Sequence, residues 1–183
     1  MAPSIIVEIS EQVARVTLNR PERRNAYDGR LIAELHESFE EIAQDKSVRV
    51  VVLTGTGAAF CAGADLRWIA PDSPVSDTRA REDAEQLSAM YRAIDECPCP
   101  VIGRVNGPAF GGGVGLVAVC DIVVATEDAT FALSETRVGL VPAVIAPFLL
   151  RKAGESFLRR YCLTGGIFSA SVAKQFNLVH EIV

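Results

Sequence analysis

Two glycine-rich loops contain the residues of this sequence that could take part in a reaction, as their types and spacing indicate. The first is Cys61-Ala62-Gly63-Ala64-Asp65 and the second is Gly111-Gly112-Gly113-Val114-Gly115, and each lies between a predicted strand and a predicted helix. Helix starts leave main-chain N–H groups without partners and give them a partial positive charge. Two such starts aimed at one point could hold a developing oxyanion between two N–H donors, and small side chains let the backbone reach a ligand. The loops therefore indicate acyl chemistry done mainly by main-chain atoms.

The second loop does not follow the common nucleotide-binding patterns. A dinucleotide fingerprint would need glycine where Leu116 stands, and no Lys-Ser/Thr pair follows the loop to make a phosphate-binding P-loop. A glycine-rich helix start that is needed only for close packing is the alternative interpretation of either loop alone. The same layout in two places favours the oxyanion interpretation.

Glu135 is the best candidate for an acid or a base. It follows an apolar strand and precedes the run Gly139-Leu140-Val141-Pro142. A carboxylate held there by apolar walls would have a raised pKa, which suits proton transfer near neutral pH. A solvated helix N-cap or an ion pair with Arg137 would explain the same residue without catalysis, and the sequence context leaves both interpretations open.

Other reactive side chains favour structural interpretations. His36 is expected on the solvent side of a helix, and His180 lies in a predicted closing strand. Cys61 has no His or Lys nearby in sequence to make it a thiolate, so we interpret it as a packing residue. Cys97 and Cys99 form CxC rather than CxxC, and no metal site is expected. A nucleophilic serine is not indicated, since the sequence has no G-x-S-x-G motif.

Composition narrows the class of protein further. The 183 residues fit one domain spanning 1–183, with 49% hydrophobic residues and a mean hydropathy of +0.24. A net charge of −5 argues against general nucleic-acid binding, which needs a basic face. No signal peptide and no apolar run long enough for a membrane span is recognised. Five cysteines, an odd number, indicate reduced thiols and a cytoplasmic location.

The predicted elements alternate between strands and helices, which predicts an α/β fold with strands largely covered by helices. A capped helix is expected from Asp28 to Gln44, a mobile loop from Ala70 to Thr78 and one helical stretch from Pro142 to Leu163. Strands are also expected at 5–9 and 13–18, as a hairpin, and at 48–53, 101–105, 121–125, 130–133 and 178–183. Further helices are expected at 80–94, 113–120 and 169–176, and the one at 113–120 should be buried because its side chains are small or apolar. The predicted apolar faces are Leu31, Leu35, Phe39 and Ile42 in the capped helix, and Ala80, Ala84, Leu87, Tyr91 and Ile94 in the helix at 80–94.

Several motifs resemble the enoyl-CoA hydratase/isomerase (crotonase) superfamily, from about residue 5 to the end of the chain. They are Asn19-Arg20-Pro21 with Asn25-Ala26, the runs 59–66 and 106–113, Cys120-Asp121-Ile122 and Leu163-Thr164-Gly165. The resemblance implies a spiral of ββα units in two packed sheets covered by helices, assembled as a homotrimer or a dimer of trimers. Because members of this family normally continue with further helices, the resemblance also implies that the C-terminal helical region is missing or shortened here.

The resemblance assigns roles to particular residues. It implies that the N–H groups of Ala64 and Gly112 hold the thioester oxygen and that Glu135 is the acid/base. It implies no metal or organic cofactor, because the CoA thioester is the substrate. The residues that it places along the acyl-CoA are Ala26, Ala62, Gly63, Ala64, Asp65, Leu66, Gly111 and Gly112, with Arg23 and Arg24 near the CoA phosphates.

Two departures from the family pattern bear on the reaction. Gly115 stands where typical hydratases have a second catalytic glutamate, and the usual glycine-rich stretch after Pro142 is replaced by residues 143–147, so an altered acyl pocket is expected. One glutamate suffices to move a double bond, which leaves a Δ3,Δ2-enoyl-CoA isomerase or a non-catalytic acyl-CoA-binding protein as alternatives. The combined pattern looks most like bacterial methylglutaconyl-CoA and isohexenylglutaconyl-CoA hydratases, which act in leucine and acyclic-terpene breakdown. That likeness favours hydration of a 2-enoyl-CoA.

Overall fold

A computed structural model describes residues 3–69 and 76–183, and the strands of this part form two sheets. The larger sheet has six strands in the order β1-β2-β3-β4-β6-β9, and the smaller has three in the order β5-β7-β8. The strands are β1 (Ile5–Ser10), β2 (Val13–Leu18), β3 (Val50–Gly55), β4 (Val101–Val105), β5 (Ala109–Phe110), β6 (Ile122–Ala125), β7 (Thr130–Ala132), β8 (Ile167–Ser169) and β9 (Glu181–Ile182).

Seven helices are described, and they pack with both sheets around a common cluster of buried apolar side chains. They are α1 (Gly29–Gln44), α2 (Leu66–Ile69), α3 (Asp77–Asp95), α4 (Gly112–Val119), α5 (Ala146–Ala153), α6 (Glu155–Thr164) and α7 (Ala170–Gln175). Short 3-10 turns occupy Pro21–Arg23 and Glu135–Val138. No helix in the described ranges is both long enough and apolar enough to cross a membrane.

The larger sheet brings the two glycine loops together. Only β1 and β2 pair antiparallel in it, as the predicted hairpin, while β2, β3, β4, β6 and β9 are successively parallel. The carboxyl ends of β3 and β4 therefore meet at the same edge of the sheet. The chain leaves this edge into the first glycine loop after β3 and into the second after β4.

Two helices of the structure agree closely with the sequence-based prediction. The Asp28 carboxylate caps α1 by accepting the Leu31 N–H at 3.0 Å, and the predicted face of Leu31, Leu35, Phe39 and Ile42 is buried. Helix α4 is buried all round because its side chains are small or apolar throughout. Both predictions are confirmed, and α4 begins one residue earlier than expected.

Other parts of the prediction are wrong. The helical stretch expected after Pro142 is broken at Gly154, whose φ of +85° cannot belong to a right-handed helix. The loop expected from Ala70 to Thr78 ends earlier, since α3 begins at Asp77 and Ser76 caps it by accepting the Arg79 N–H at 3.2 Å. Residues 70–75 of that loop lie outside the described residues. Strands β5 and β8 were not predicted, and the closing strand is only β9.

Candidate active site

A cavity of about 660 Å³ lies where the two glycine loops, the first turns of α3 and the segment after β7 meet. The helix face predicted on α3 splits between this cavity and the core. Ala80, Ala84 and Leu87 line the cavity, whereas Tyr91 and Ile94 are buried. The other described residues that line the cavity are Tyr27, Ala62, Gly63, Ala64, Leu66, Trp68, Ile69, Asp83, Phe110, Gly111, Gly112, Ser134, Glu135, Arg137, Val138, Leu140, Val141, Pro142, Ala143, Val144 and Ile145.

The two glycine loops are in direct contact. The Phe110 N–H donates to the Cys61 carbonyl oxygen at 2.9 Å. A Cβ at Gly63 would lie 2.7 Å from the Phe110 carbonyl oxygen and 3.2 Å from the Gly112 nitrogen, and the φ of Gly63 is +86°. Only glycine allows this approach, because a side chain would be strained at that φ and would push the loops apart.

The N–H groups of Ala64 and Gly112, both in the cavity wall, differ from their neighbours in lacking a partner among the described residues. The next N–H beyond Ala64, that of Asp65, donates to Tyr27 O at 2.8 Å, and the Gly111 N–H before Gly112 donates to Ala132 O at 2.8 Å. The N–H groups of Ala64 and Gly112 themselves have no acceptor in the part of the chain that the structure describes. The Gly112 N–H also lies at the start of α4, where the helix dipole favours an anion. Both are available to an oxyanion, and that role stays a prediction.

Glu135 places a carboxylate beside these donors. Its Oε1 would lie 3.3 Å from a Cβ at Gly111, and its Oε2 is buried without a hydrogen-bond partner among the described residues. Burial raises the pKa of this carboxyl, as the sequence predicts. No ion pair joins it to Arg137 in the described ranges, so the structure does not support that alternative.

Other side chains fill the space beside Gly115, where the family resemblance places a second glutamate. A Cβ at Gly115 would overlap Ile145 Cγ2 and would lie 3.0 Å from Tyr91 Cε1. Among the described residues, Asp83 is the other carboxylate in the cavity wall, and Arg79 Nε lies 3.8 Å from it. Glu135 is therefore the carboxylate that the described structure puts beside the N–H groups of Ala64 and Gly112.

A pair of buried tyrosines, which the sequence did not single out, lies behind the donors. Tyr91 Oη donates to the Gly112 carbonyl oxygen at 2.7 Å, and the hydroxyls of Tyr27 and Tyr91 are 3.3 Å apart. Tyr27 also packs edge-on against Trp68, with ring centroids 6.3 Å apart. The one available signal was that Tyr27 directly follows the Asn25-Ala26 motif.

Not all predicted contact residues line the cavity. Ala62, Gly63, Ala64, Leu66, Gly111, Gly112 and Glu135 do, whereas Arg24, Ala26 and Asp65 do not. The Asp65 carboxylate instead pairs with Arg20 at 3.4 Å and accepts the Arg67 N–H at 3.1 Å. Contacts of these three residues with CoA stay predictions.

The side chains interpreted as structural have structural partners. Cys61 Sγ donates to the Asn25 carbonyl oxygen at 3.2 Å, and burial raises the pKa of this thiol to about 12, so it is a packing residue. His180 Nδ1 accepts the Val123 N–H at 2.8 Å. His36 lies on α1, with its Nε2 3.5 Å from Glu40 Oε1.

The two-sheet architecture is the crotonase fold. A crystal structure of a Legionella pneumophila protein described as an enoyl-CoA hydratase/isomerase (crotonase) matches with a TM-score of 0.96 at 37% identity, covering 100% of this chain and 71% of that one. A profile of the enoyl-CoA hydratase/isomerase family matches residues 8–183. The chain therefore belongs to this family, and the family resemblance and the fold prediction are confirmed.

Relatives with named reactions are similar over most of this chain. An enoyl-CoA hydratase of Alternaria alternata is 39% identical over 168 residues, which are 92% of this chain and 54% of the relative. The 2,3-dehydroadipyl-CoA hydratase of Escherichia coli K12 is 37% identical over 182 residues, which are 97% of this chain and 68% of the relative. The chain thus spans about half the length of the Alternaria protein.

Proposed function

We propose that this protein adds water across the double bond of a 2-enoyl-CoA thioester. The thioester oxygen accepts hydrogen bonds from the N–H groups of Ala64 and Gly112. Glu135 takes a proton from water while the water oxygen bonds to C3 and the π electrons move onto the thioester oxygen. Glu135 then returns that proton to C2, which gives the 3-hydroxyacyl-CoA. One carboxylate thereby serves as base and then as acid, and no second glutamate is required.

The unpartnered Oε2 of Glu135, buried beside the two unpaired N–H groups, is the observation that carries this proposal. A buried carboxylate oxygen without a partner is costly to stability, so its presence in a cavity indicates a functional use. Burial brings the pKa of Glu135 closer to neutral pH, and a group whose pKa lies near the working pH can both take and return a proton. The names of the two relatives as hydratases support the same reaction.

The finer substrate and the assembly are parts of the same proposal. We include a branched 2-enoyl-CoA such as methylglutaconyl-CoA as the substrate. Apolar side chains of the cavity wall, such as Val141 and Ile145, suit its methyl branch, and Arg137 in the same wall suits its terminal carboxylate. We include assembly as a homotrimer or a dimer of trimers, which exposed apolar side chains such as Leu163 and Ile167 support. A cytoplasmic location, inferred from the cysteines, is also included.

A panel of enoyl-CoA thioesters that includes methylglutaconyl-CoA tests the reaction. Mass spectrometry is expected to show products heavier by one water. Glu135→Gln should lower kcat about 10²–10⁴-fold. Glu127→Gln, at an exposed glutamate outside the cavity walls, is the matched control and should leave kcat unchanged. Equal rates for wild type and Glu135→Gln would remove Glu135 from the mechanism.

Double-bond migration is the second candidate reaction. The filled space at Gly115 favours it, because one carboxylate can carry a proton between C4 and C2 without any water. A 3-enoyl-CoA substrate separates the two reactions, since migration conserves mass whereas hydration does not. Binding of the thioesters in calorimetry without turnover of either substrate set would instead identify a non-catalytic acyl-CoA-binding protein.

A further inference from the structure

The main chain of Tyr27 binds the first glycine loop on both sides of Ala64. The Tyr27 N–H donates to the Gly63 carbonyl oxygen at 2.9 Å, and the Tyr27 carbonyl oxygen accepts the Asp65 N–H at 2.8 Å. This is a one-residue parallel bridge between Tyr27 and Ala64. With both neighbouring peptide groups bonded to one residue, the Ala64 N–H has a fixed direction while remaining unpaired.

The side chain of the same Tyr27 reaches the second loop through Tyr91. Tyr91 has one hydroxyl proton and donates it to the Gly112 carbonyl oxygen at 2.7 Å. In the 3.3 Å contact between the two hydroxyls, Tyr27 must therefore be the donor and Tyr91 the acceptor. The result is a chain of hydrogen bonds from Tyr27 to Tyr91 to the peptide that follows the Gly112 nitrogen.

Both hydroxyls also press against Gly112. A Cβ at this position would overlap Tyr27 Oη and would lie 2.8 Å from Tyr91 Oη. The two rings are fully buried, and burial raises the pKa of both phenols well above their ordinary value. The hydroxyls therefore keep their protons throughout the pH range in which an enzyme works, and the hydrogen-bond chain persists.

We propose that Tyr27 and Tyr91 are positioning residues that lock the Ala64 and Gly112 N–H groups into one oxyanion-binding geometry. The inference rests on the proposed function, since it assumes that these donors bind a thioester oxygen. Tyr27 connects the loops because its main chain fixes one and its side chain, through Tyr91, fixes the other. The loops are more than forty residues apart in sequence, and this link adds to their direct contact at Gly63.

The absorbance of bound 4-(dimethylamino)cinnamoyl-CoA reports how well the Ala64 and Gly112 N–H groups bind a thioester oxygen, and it needs no turnover. Polarisation of the thioester carbonyl by these donors shifts the absorption to longer wavelength. Tyr91→Phe is expected to lose most of this shift and to lower kcat about tenfold with little change in KM. Tyr27→Phe should cause a smaller loss of the same kind. The double variant should lose less than the sum of the two single losses, because the Tyr27 hydroxyl acts partly through Tyr91.

Tyr161→Phe is the matched control, since Tyr161 is the third tyrosine of the chain and is buried outside the cavity walls. It should leave the shift and kcat unchanged. Thermal unfolding of every variant separates lost positioning from lost folding. If Tyr91→Phe does not fold, Tyr27→Phe carries the test, because it keeps the Tyr91–Gly112 bond.

A wild-type shift in Tyr91→Phe, or losses that add in the double variant, would overturn the inference. Its failure is distinguishable from failure of the proposed function. A wild-type protein that shifts the probe but hydrates no thioester would refute the function, and the variants would still decide the role of the tyrosines. A wild-type protein that does not shift the probe would refute both.

Discussion

The side chain of Ile145 occupies the space that a side chain at Gly115 would need. A Cβ built on Gly115 overlaps Ile145 Cγ2 and lies 3.0 Å from both Ile145 Cβ and Tyr91 Cε1. The glycine in α4 and the isoleucine before α5 therefore form one packing unit, in which a larger residue in place of Gly115 needs a smaller one in place of Ile145. Ile145 lines the cavity, so the unit presents an apolar surface there, at the position to which the family resemblance assigns a second carboxylate.

Gly115→Glu is expected to destabilise the protein strongly. The new side chain would overpack the wall, which costs about 1–3 kcal/mol, and it would bury a carboxylate besides. Gly115→Glu with Ile145→Gly should recover much of this loss, because the second change removes the atoms that the glutamate meets. Chemical denaturation of the two single variants and the double variant measures the coupling. Additive free energies of unfolding would show that Ile145 does not fill this position.

Gly63→Ala is expected to lower kcat because the added side chain would displace the two glycine loops. The added Cβ would lie 2.7 Å from the Phe110 carbonyl oxygen and 3.2 Å from the Gly112 nitrogen, at a φ of +86°. Gly154→Ala is the matched control, because φ there is +85° and no described atom lies within 4 Å of the added Cβ.

Both variants put an alanine at a φ near +85°, which costs about 1–3 kcal/mol of backbone strain. Only Gly63→Ala moves the donors, and it should lower kcat about 10²-fold relative to the control. Steady-state kinetics at a temperature where both variants remain folded is the measurement. Equal kcat values in the two variants would mean that the contact between the loops is irrelevant to the reaction.

Local signals in the sequence were enough to predict those parts of the site that lie on a single helix, strand or loop. Asp28 was recognised as a cap, the two glycine loops as strand-to-helix turns, and Glu135 as a carboxylate behind an apolar strand. Each of these features depends on residues within a few positions of one another. The break at Gly154 was missed because apolar periodicity continues across it, although its glycine was a local signal.

Contacts between distant segments could not be predicted in the same way. Tyr27 and Tyr91 are 64 residues apart, and their hydroxyls meet only because α1 and α3 pack together. Gly115 indicates a close approach in a buried helix, but the sequence does not say that Ile145 makes it. Tyr91 was correctly placed on a helix face, while its bond to Gly112 depends on how α3 crosses α4.

His180 is expected to make the protein less stable in mild acid. Burial and the nearby Lys152 lower the pKa of His180 below its ordinary 6.5. The unfolded chain therefore takes up this proton first, and the stabilisation present above pH 6.5 is lost as the pH falls. His180→Asn keeps an acceptor for the Val123 N–H without a titrating ring. Its unfolding temperature should fall less steeply with acid, and parallel curves for the two proteins would contradict the prediction.

Glu135→Gln is expected to stabilise the protein at neutral pH while it lowers kcat. Burial raises the pKa of Glu135 above its ordinary 4.5, so the folded protein holds this proton more tightly than the unfolded chain. Folding is favoured most below pH 4.5 and loses that contribution as the pH rises through the folded pKa. Glutamine does not ionise, so the stability of the variant does not fall in this way as the pH rises.

Thermal unfolding between pH 4 and pH 8 measures this difference. The unfolding temperature of Glu135→Gln should exceed that of the wild type at pH 8, and the two values should converge towards pH 4. Glu127→Gln, at the exposed turn after β6, should follow the wild type throughout. A constant offset between Glu135→Gln and wild type would show that the amide changes packing rather than charge. Convergence together with lost turnover would assign both the buried charge and the proton transfer to Glu135.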